Sequence, residues 1–204
     1  MKTSSTVVAL LLLCTTAFAQ EAPKKVDHSV LGLEFGDTYT TVAKKVKLEK
    51  GNDSSPFVSY STDKLPKGLS DAALYMLLFY KSTLVKVLVI GTPYTNDAYG
   101  IEGKEAYGKY KELLSRKYKI DNSYEKVGSY LYEDPAEFWE CLGYKEGACG
   151  LYTTTFKGVD RSVGLQLKSS GRTGYYVITF ESNLFAEALE EHQKAQRLKD
   201  SEGL

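Results

Sequence analysis

Two cysteines, Cys141 and Cys149, stand at the end of the stretch ECLGYKEGAC, and they are the only thiols beyond residue 19. Such a pair can serve as a redox dithiol, as half of a metal site, or as a staple. Seven intervening residues do not make the C-x-x-C spacing of a redox motif. A metal site would need further ligands, and the only histidines, His28 and His192, lie far from the pair in sequence. His28 sits in a polar lead-in and His192 on a charged tail, so neither offers the base of a Ser-His or Cys-His arrangement. The carboxylates Glu133, Asp134, Glu137 and Glu140 have the composition of a glycosidase pair, yet helix capping and solvation explain them more simply. No catalytic residue, cofactor or metal site is expected.

The compartment decides between the readings of the cysteines. The chain opens MKTSSTVVALLLLCTTAFAQ: Lys2, an apolar run from Val7 to Leu13, and small residues at Ala17 and Ala19. That is the layout of a secretory signal peptide over residues 1–19. The run falls short of the roughly 20 residues a membrane-spanning helix needs. Cys14 raises lipoprotein processing, but Leu13 before it is bulkier than that cleavage prefers. A periplasmic or secreted protein is expected, in a space where disulfides persist, so a Cys141–Cys149 bridge is the expected pairing. Closing so short a ring contributes about 2 to 3 kcal/mol by loop-entropy arithmetic. Cleavage removes one lysine from 26 basic residues balanced against 26 acidic ones. A neutral chain gives no electrostatic case for a nucleic-acid partner, and no later segment is long and apolar enough for a membrane span.

The elements that must hold these residues alternate in kind. In EDPAEFWE, Asp134 as cap, Pro135 at the first helical position and Glu137 three residues on predict a short helix over 135–142. A turn at 144–147 and a strand beginning near Cys149 follow. Upstream, Asp37 is placed to cap a helix carrying Tyr39, Val42, Ala43 and Val46 on one face. The polar residues 49–56 read as a loop. PFVSYST, ALYMLLFY and LVKVLVIG read as strands, the last two separated by a hairpin-length gap at Lys81–Thr83. A second cycle places Ala106, Tyr107, Tyr110, Leu113 and Leu114 on one helical face. A strand in SYEKVGSYLY, the stapled element, and the strands GLYTTTF, RSVGLQL and GYYVITF come next. From Asn183 to about Lys199 the pattern is helical, with Leu184, Phe185, Ala188 and Leu189 packing at its start. The expected fold is α+β: an antiparallel sheet backed by helices, in a tandem of two helix-plus-three-strand repeats. Residues 20–100 form the first half and 101–204 the second, in one compact unit.

LGLEFGDTYTTVAKKV resembles the glycine-then-helix opening of small bacterial envelope proteins. CGLYTTTF, VGLQLK and GYYVITFES together resemble the closing sheet of exported proteins of undefined role. The order of elements over Leu31 to Ser182 is similar to the β-lactamase inhibitor protein family, with two helix-plus-sheet repeats, and to outer-membrane assembly lipoproteins of the BamE type, with one. The resemblance implies binding to other proteins without catalytic machinery. The chain departs from these families in having one candidate disulfide in place of one per repeat, and no convincing lipid-attachment cysteine. No contact residue transfers from them.

ALYMLLFY and LVKVLVIG carry apolar residues on both faces, so this hairpin is either buried between layers or exposed as a contact patch. In the second case Tyr75, Phe79, Tyr80 and Lys86 are the candidate partner-binding residues. The expected function is binding another envelope or secreted protein, as an inhibitor or immunity-type factor. An envelope assembly or maintenance accessory is the alternative, and a small hydrolase the third reading.

Overall fold

A computed structural model describes residues 28–54, 56–128 and 134–202. The proposed signal peptide, Cys14 and Glu133 lie outside the described residues. Elements run β1 (Ser29–Val30), β2 (Leu33–Glu34), α1 (Tyr39–Ala43), β3 (Glu49–Ser54), β4 (Phe57–Thr62), β5 (Ala72–Tyr80) and β6 (Thr83–Gly91). After α2 (Ile101–Ser115) come β7 (Lys119–Val127), α3 (Phe138–Gly143), β8 (Gly150–Lys157), β9 (Arg161–Ser170), β10 (Thr173–Ser182) and α4 (Asn183–Glu202).

Apart from the small β1·β2 hairpin, the described strands form one antiparallel sheet in the order β3-β4-β5-β6-β10-β9-β8-β7. Two meanders therefore meet at a β6·β10 seam, and the fold is α+β. Each half contributes four strands. The fourth strand of the first half, β3, falls where a loop was expected. Its sequence EKGNDS has no strand signature, but it lies at the sheet edge, where backbone pairing to β4 is enough to hold it, with a register shift between Lys50 and Asp53. Charged, exposed residues also fill the opposite edge, β7, which discourages pairing with another sheet.

Alternation along the central strands separates the two faces. On the first face lie Leu77, Val87, Phe180, Val163 and Phe156, neighbours in register from β5 to β8 and all buried. Tyr75, Val89, Ile178 and Leu165 form the adjoining row. Helices α2 and α3 cover this side from β7 to β10. Helix α1 buries Val42 in the same core and sets Tyr39 against Phe79 and Tyr60. Helix α4 packs on the opposite face, against β6 and β10.

Several helix details differ from the sequence expectation. Thr38, not Asp37, caps α1, its hydroxyl accepting from the Thr41 amide at 3.3 Å. Asp37 instead accepts from the Glu34 amide and pairs with Lys45 at 2.8 Å. Leu113 is 45% exposed, because the buried stripe of α2 runs through Gly103, Tyr107, Tyr110 and Leu114. Leu184 and Leu189 are exposed on α4, which buries Ala188 and packs Phe185 instead. Asp134 does cap, accepting from the Ala136 amide at 2.9 Å, but the first turn is 3-10 before α3 begins at Phe138. No described helix is long and apolar enough to cross a membrane.

Candidate binding face

The cysteines close the loop that joins α3 to β8. Cys141 and Cys149 form a disulfide with their Cα atoms 5.2 Å apart, inside the normal range, and both are buried. The bridge fixes α3 so that Trp139, fully buried, reaches between α2 and β10. Its indole N–H donates to the Asp97 carbonyl at 2.6 Å, and its ring stacks on Tyr94. Gly103 and Gly174 make this possible: a Cβ on either would lie within 2.4 Å of indole carbons. This arrangement is a structural anchor rather than a dithiol awaiting a substrate.

The other polar groups are likewise tied into packing. Asp71, ahead of β5, accepts hydrogen bonds from Tyr110 on α2 and from Tyr176 on β10, the latter at 2.8 Å, and pairs with Lys109 at 3.0 Å. Burial opposes ionisation of this carboxyl, but the Tyr110, Tyr176 and Lys109 hydrogen bonds together hold it below its ordinary value. Burial pushes the Tyr176 phenol well up, with the neighbouring Tyr110 and Asp71 adding to the effect. The cluster therefore keeps its protons in place at neutral pH and joins the two halves. Burial likewise raises Tyr107 to about 12, and its hydroxyl shares a 2.5 Å hydrogen bond with Thr154.

His28 contacts Asp160 at 2.8 Å, but that carboxylate is also engaged by the Arg161 guanidinium, which lowers its pKa foremost. Arg161 in turn donates to the Ser29 carbonyl at 2.6 Å and lies over the Phe35 ring. The histidine thus belongs to a latch between the β1·β2 hairpin and β9. His192 lies on α4. Glu140 pairs with Arg172 at 2.9 Å, and Asp134 is occupied as a cap.

Of the four residues expected as contacts, the structure separates two pairs. Tyr75 and Phe79 are 1% and 2% exposed on the first face, so they present no surface to a partner. The Tyr75 hydroxyl is satisfied by the Leu69 backbone, accepting from its amide and donating to its carbonyl. Tyr80 and Lys86 are partly exposed on the second face but bound to α4 or its approach. Tyr80 donates to Glu191 at 2.7 Å; Lys86 pairs with Glu181 at 2.6 Å and lies over the Phe185 ring. Hydrophobicity alone could not assign the faces of this hairpin, because both sides of each strand are apolar.

The second face has a pattern visible only once the strands are paired. One row reads Ser61, Met76, Leu88, Thr179, Gly164, Thr155 and Asn122, each the register partner of the next, from β4 to β7. The neighbouring row reads Leu74, Ile90, Val177, Gln166, Thr153 and Tyr124. Between β4 and β7 neither row contains a charged residue, and every member is partly or fully exposed; on β3 the first row ends in Glu49, the register partner of Ser61. The row on the α4 side differs: Leu78, Lys86, Glu181, Ser162 and Lys157 carry the charges, and α4 stands over its β5–β10 end. The uncharged stripe is apolar on β5, β6 and β10 and turns to hydroxyl and amide groups on β9, β8 and β7. Depletion of charge with retained apolar and tyrosine side chains is the composition of an interface core.

The chain matches no protein-family model, and no curated protein or solved structure is significantly similar to it.

Proposed function

We propose that this is an exported, non-enzymatic protein that binds another envelope or secreted protein through the second face of its sheet, as an inhibitor or immunity-type factor. The observation that carries this reading is the uncharged stripe of two adjacent rows, exposed beside an otherwise charge-rich surface. Paired β-strands hold such side chains in place, which lowers the ordering cost on binding. The polar clusters elsewhere support it indirectly, since each is explained by packing, capping or pairing. A relationship of the two halves as copies of one unit, in the manner of the β-lactamase inhibitor protein, fits the order of elements: each half supplies a helix and a four-stranded meander that meets the other at β6·β10.

Photocrosslinking amino acids placed at Met76, Ile90 and, as a control, Glu105 on α2 test the reading in periplasmic and secreted extracts. One dominant foreign adduct at Met76 and Ile90 but not at Glu105 is the expected result. Adducts confined to Glu105, or none from either stripe position, would remove the second face as the contact surface.

A further inference from the structure

We propose that the occupant of the second face is an amphipathic α-helix of the partner protein, lying along the two uncharged rows beside α4 with an acidic edge turned to Lys126 and Lys168. This rests on the reading of that face as a contact surface and names what fits it.

The shape of the occupant follows from the space beside α4. Rows on one face are two residues apart along a strand, so the uncharged rows lie about 7 and about 14 Å from the row that α4 covers. Packed helices keep their axes about 8 to 10 Å apart, which puts a second helix over the uncharged pair, its axis between the two rows. From β4 to β7 these rows cross six strand spacings, about 29 Å, the length of a helix of about 20 residues. A broad globular surface is held off, because α4 stands about 10 Å proud of the sheet, whereas a helix of the same diameter fits beside it.

The two banks of this trough supply its chemistry. On α4, Glu191 reaches Tyr80 and Lys81 at the tip of the β5·β6 hairpin, away from the stripe. Leu189 and Gln193 stand about 160° around the helix from Glu191, on the edge toward the stripe. Both are exposed and neither carries charge. Floor and wall therefore match an uncharged helix face, apolar where it crosses β5, β6 and β10. On the opposite bank, strand alternation sets Lys168 two residues beyond Gln166 on β9 and Lys126 two beyond Tyr124 on β7, both on the second face. Both lysines are exposed, and among the described residues neither is held in a salt bridge. Their charge is complementary to carboxylates on the helix edge farthest from α4.

Photocrosslinking residues at Met76, Thr179 and Thr155, two strands apart along one row, test the helix in periplasmic and secreted extracts. One strand spacing equals about three residues of helical rise, so adducts from successive positions should map about six or seven residues apart within one segment of one foreign protein. The acidic edge is tested with two synthetic helical peptides of about 20 residues, alike in a leucine and alanine face but edged with glutamate in one and lysine in the other. By fluorescence anisotropy at up to about 1 mM, the wild type should bind the glutamate peptide about 10-fold or more tightly than the lysine peptide. The Lys126→Glu/Lys168→Glu variant should reverse that preference, and Lys126→Gln/Lys168→Gln should abolish it, with folding verified by circular dichroism. Equal binding of the two peptides by the wild type, or binding of neither at about 1 mM, would overturn the proposal. Adducts scattered over several segments, or confined to a second copy of this chain, would remove the helix and leave the contact face. No adduct from any of the three positions would remove the face as well.

Discussion

The two faces of the sheet use the same strands to opposite ends. On β5, Leu77 is fully buried under helices while Met76, the next residue, is partly exposed on the open side. Each face has apolar side chains, so hydrophobicity does not separate them. Their cover does: three helices and the β1·β2 hairpin seal the first face, whereas α4 covers one part of the second. The first face stores the stability, and the second can be altered with the fold intact. Substitutions that respect or violate this division are the means of testing it.

The largest effect is expected at Trp139. Truncation to Ala leaves a cavity between Gly103 and Gly174 and removes one of the two hydrogen bonds to the Asp97 carbonyl, which keeps that from the Gly100 amide, at a cost of about 3 to 5 kcal/mol. Urea denaturation checks it; a change below 1 kcal/mol would mean that α3 is not part of the core. Replacing both cysteines by serine should cost about 2 to 3 kcal/mol, because the bridge closes a short loop that fixes α3. The same double substitution should leave any photoadduct at Met76 unchanged, since the staple serves only the first face.

Asp71 tests the seam between the halves. Its carboxylate is 37% exposed, so water replaces part of what is lost, and Asp71→Asn should cost about 1 kcal/mol at pH 7. Its pKa is lowered on folding, so the contribution is fully present above the unfolded carboxylate value of 3.8 and disappears as pH falls through the lower folded value. The stability gap between wild type and Asp71→Asn should therefore be constant near neutrality and shrink below about pH 3.8. A gap independent of pH would assign the effect to packing rather than charge.

What the sequence disclosed follows from the range of each interaction. The capping role of Asp134, the strands β8 to β10 and the disulfide are local in sequence, and their patterns were readable. β3 was not, because an edge strand needs only a backbone partner and its polar residues carry no alternation. Nor was the side of the sheet on which each hairpin residue lies. Tyr75 and Phe79 differ from Met76 and Leu88 only in which side of the sheet they occupy; Phe79 is held there by Tyr39 of α1, a distant contact, while Tyr75 is tied to the Leu69 backbone six residues earlier. The uncharged stripe combines residues from seven strands, one or two from each. It exists only after register is known.

The smallest stability effect is expected at the stripe itself, and there the comparison is sharpest. Met76→Gln and Leu77→Gln alter neighbouring residues of one strand to the same side chain. At Leu77 the amide enters a core without a partner, and loss of apolar burial adds to the cost, so about 3 kcal/mol or more should be lost. At Met76 the amide reaches solvent and only part of one side chain's burial is forfeited, below about 1 kcal/mol. Thermal melts of the two variants decide between the faces. A Met76 variant as destabilised as the Leu77 variant would mean that the second face is buried in the folded protein, and the stripe would then be core. A Met76 variant that melts with the wild type yet loses its contacts in solution would place stability and binding on opposite sides of one sheet.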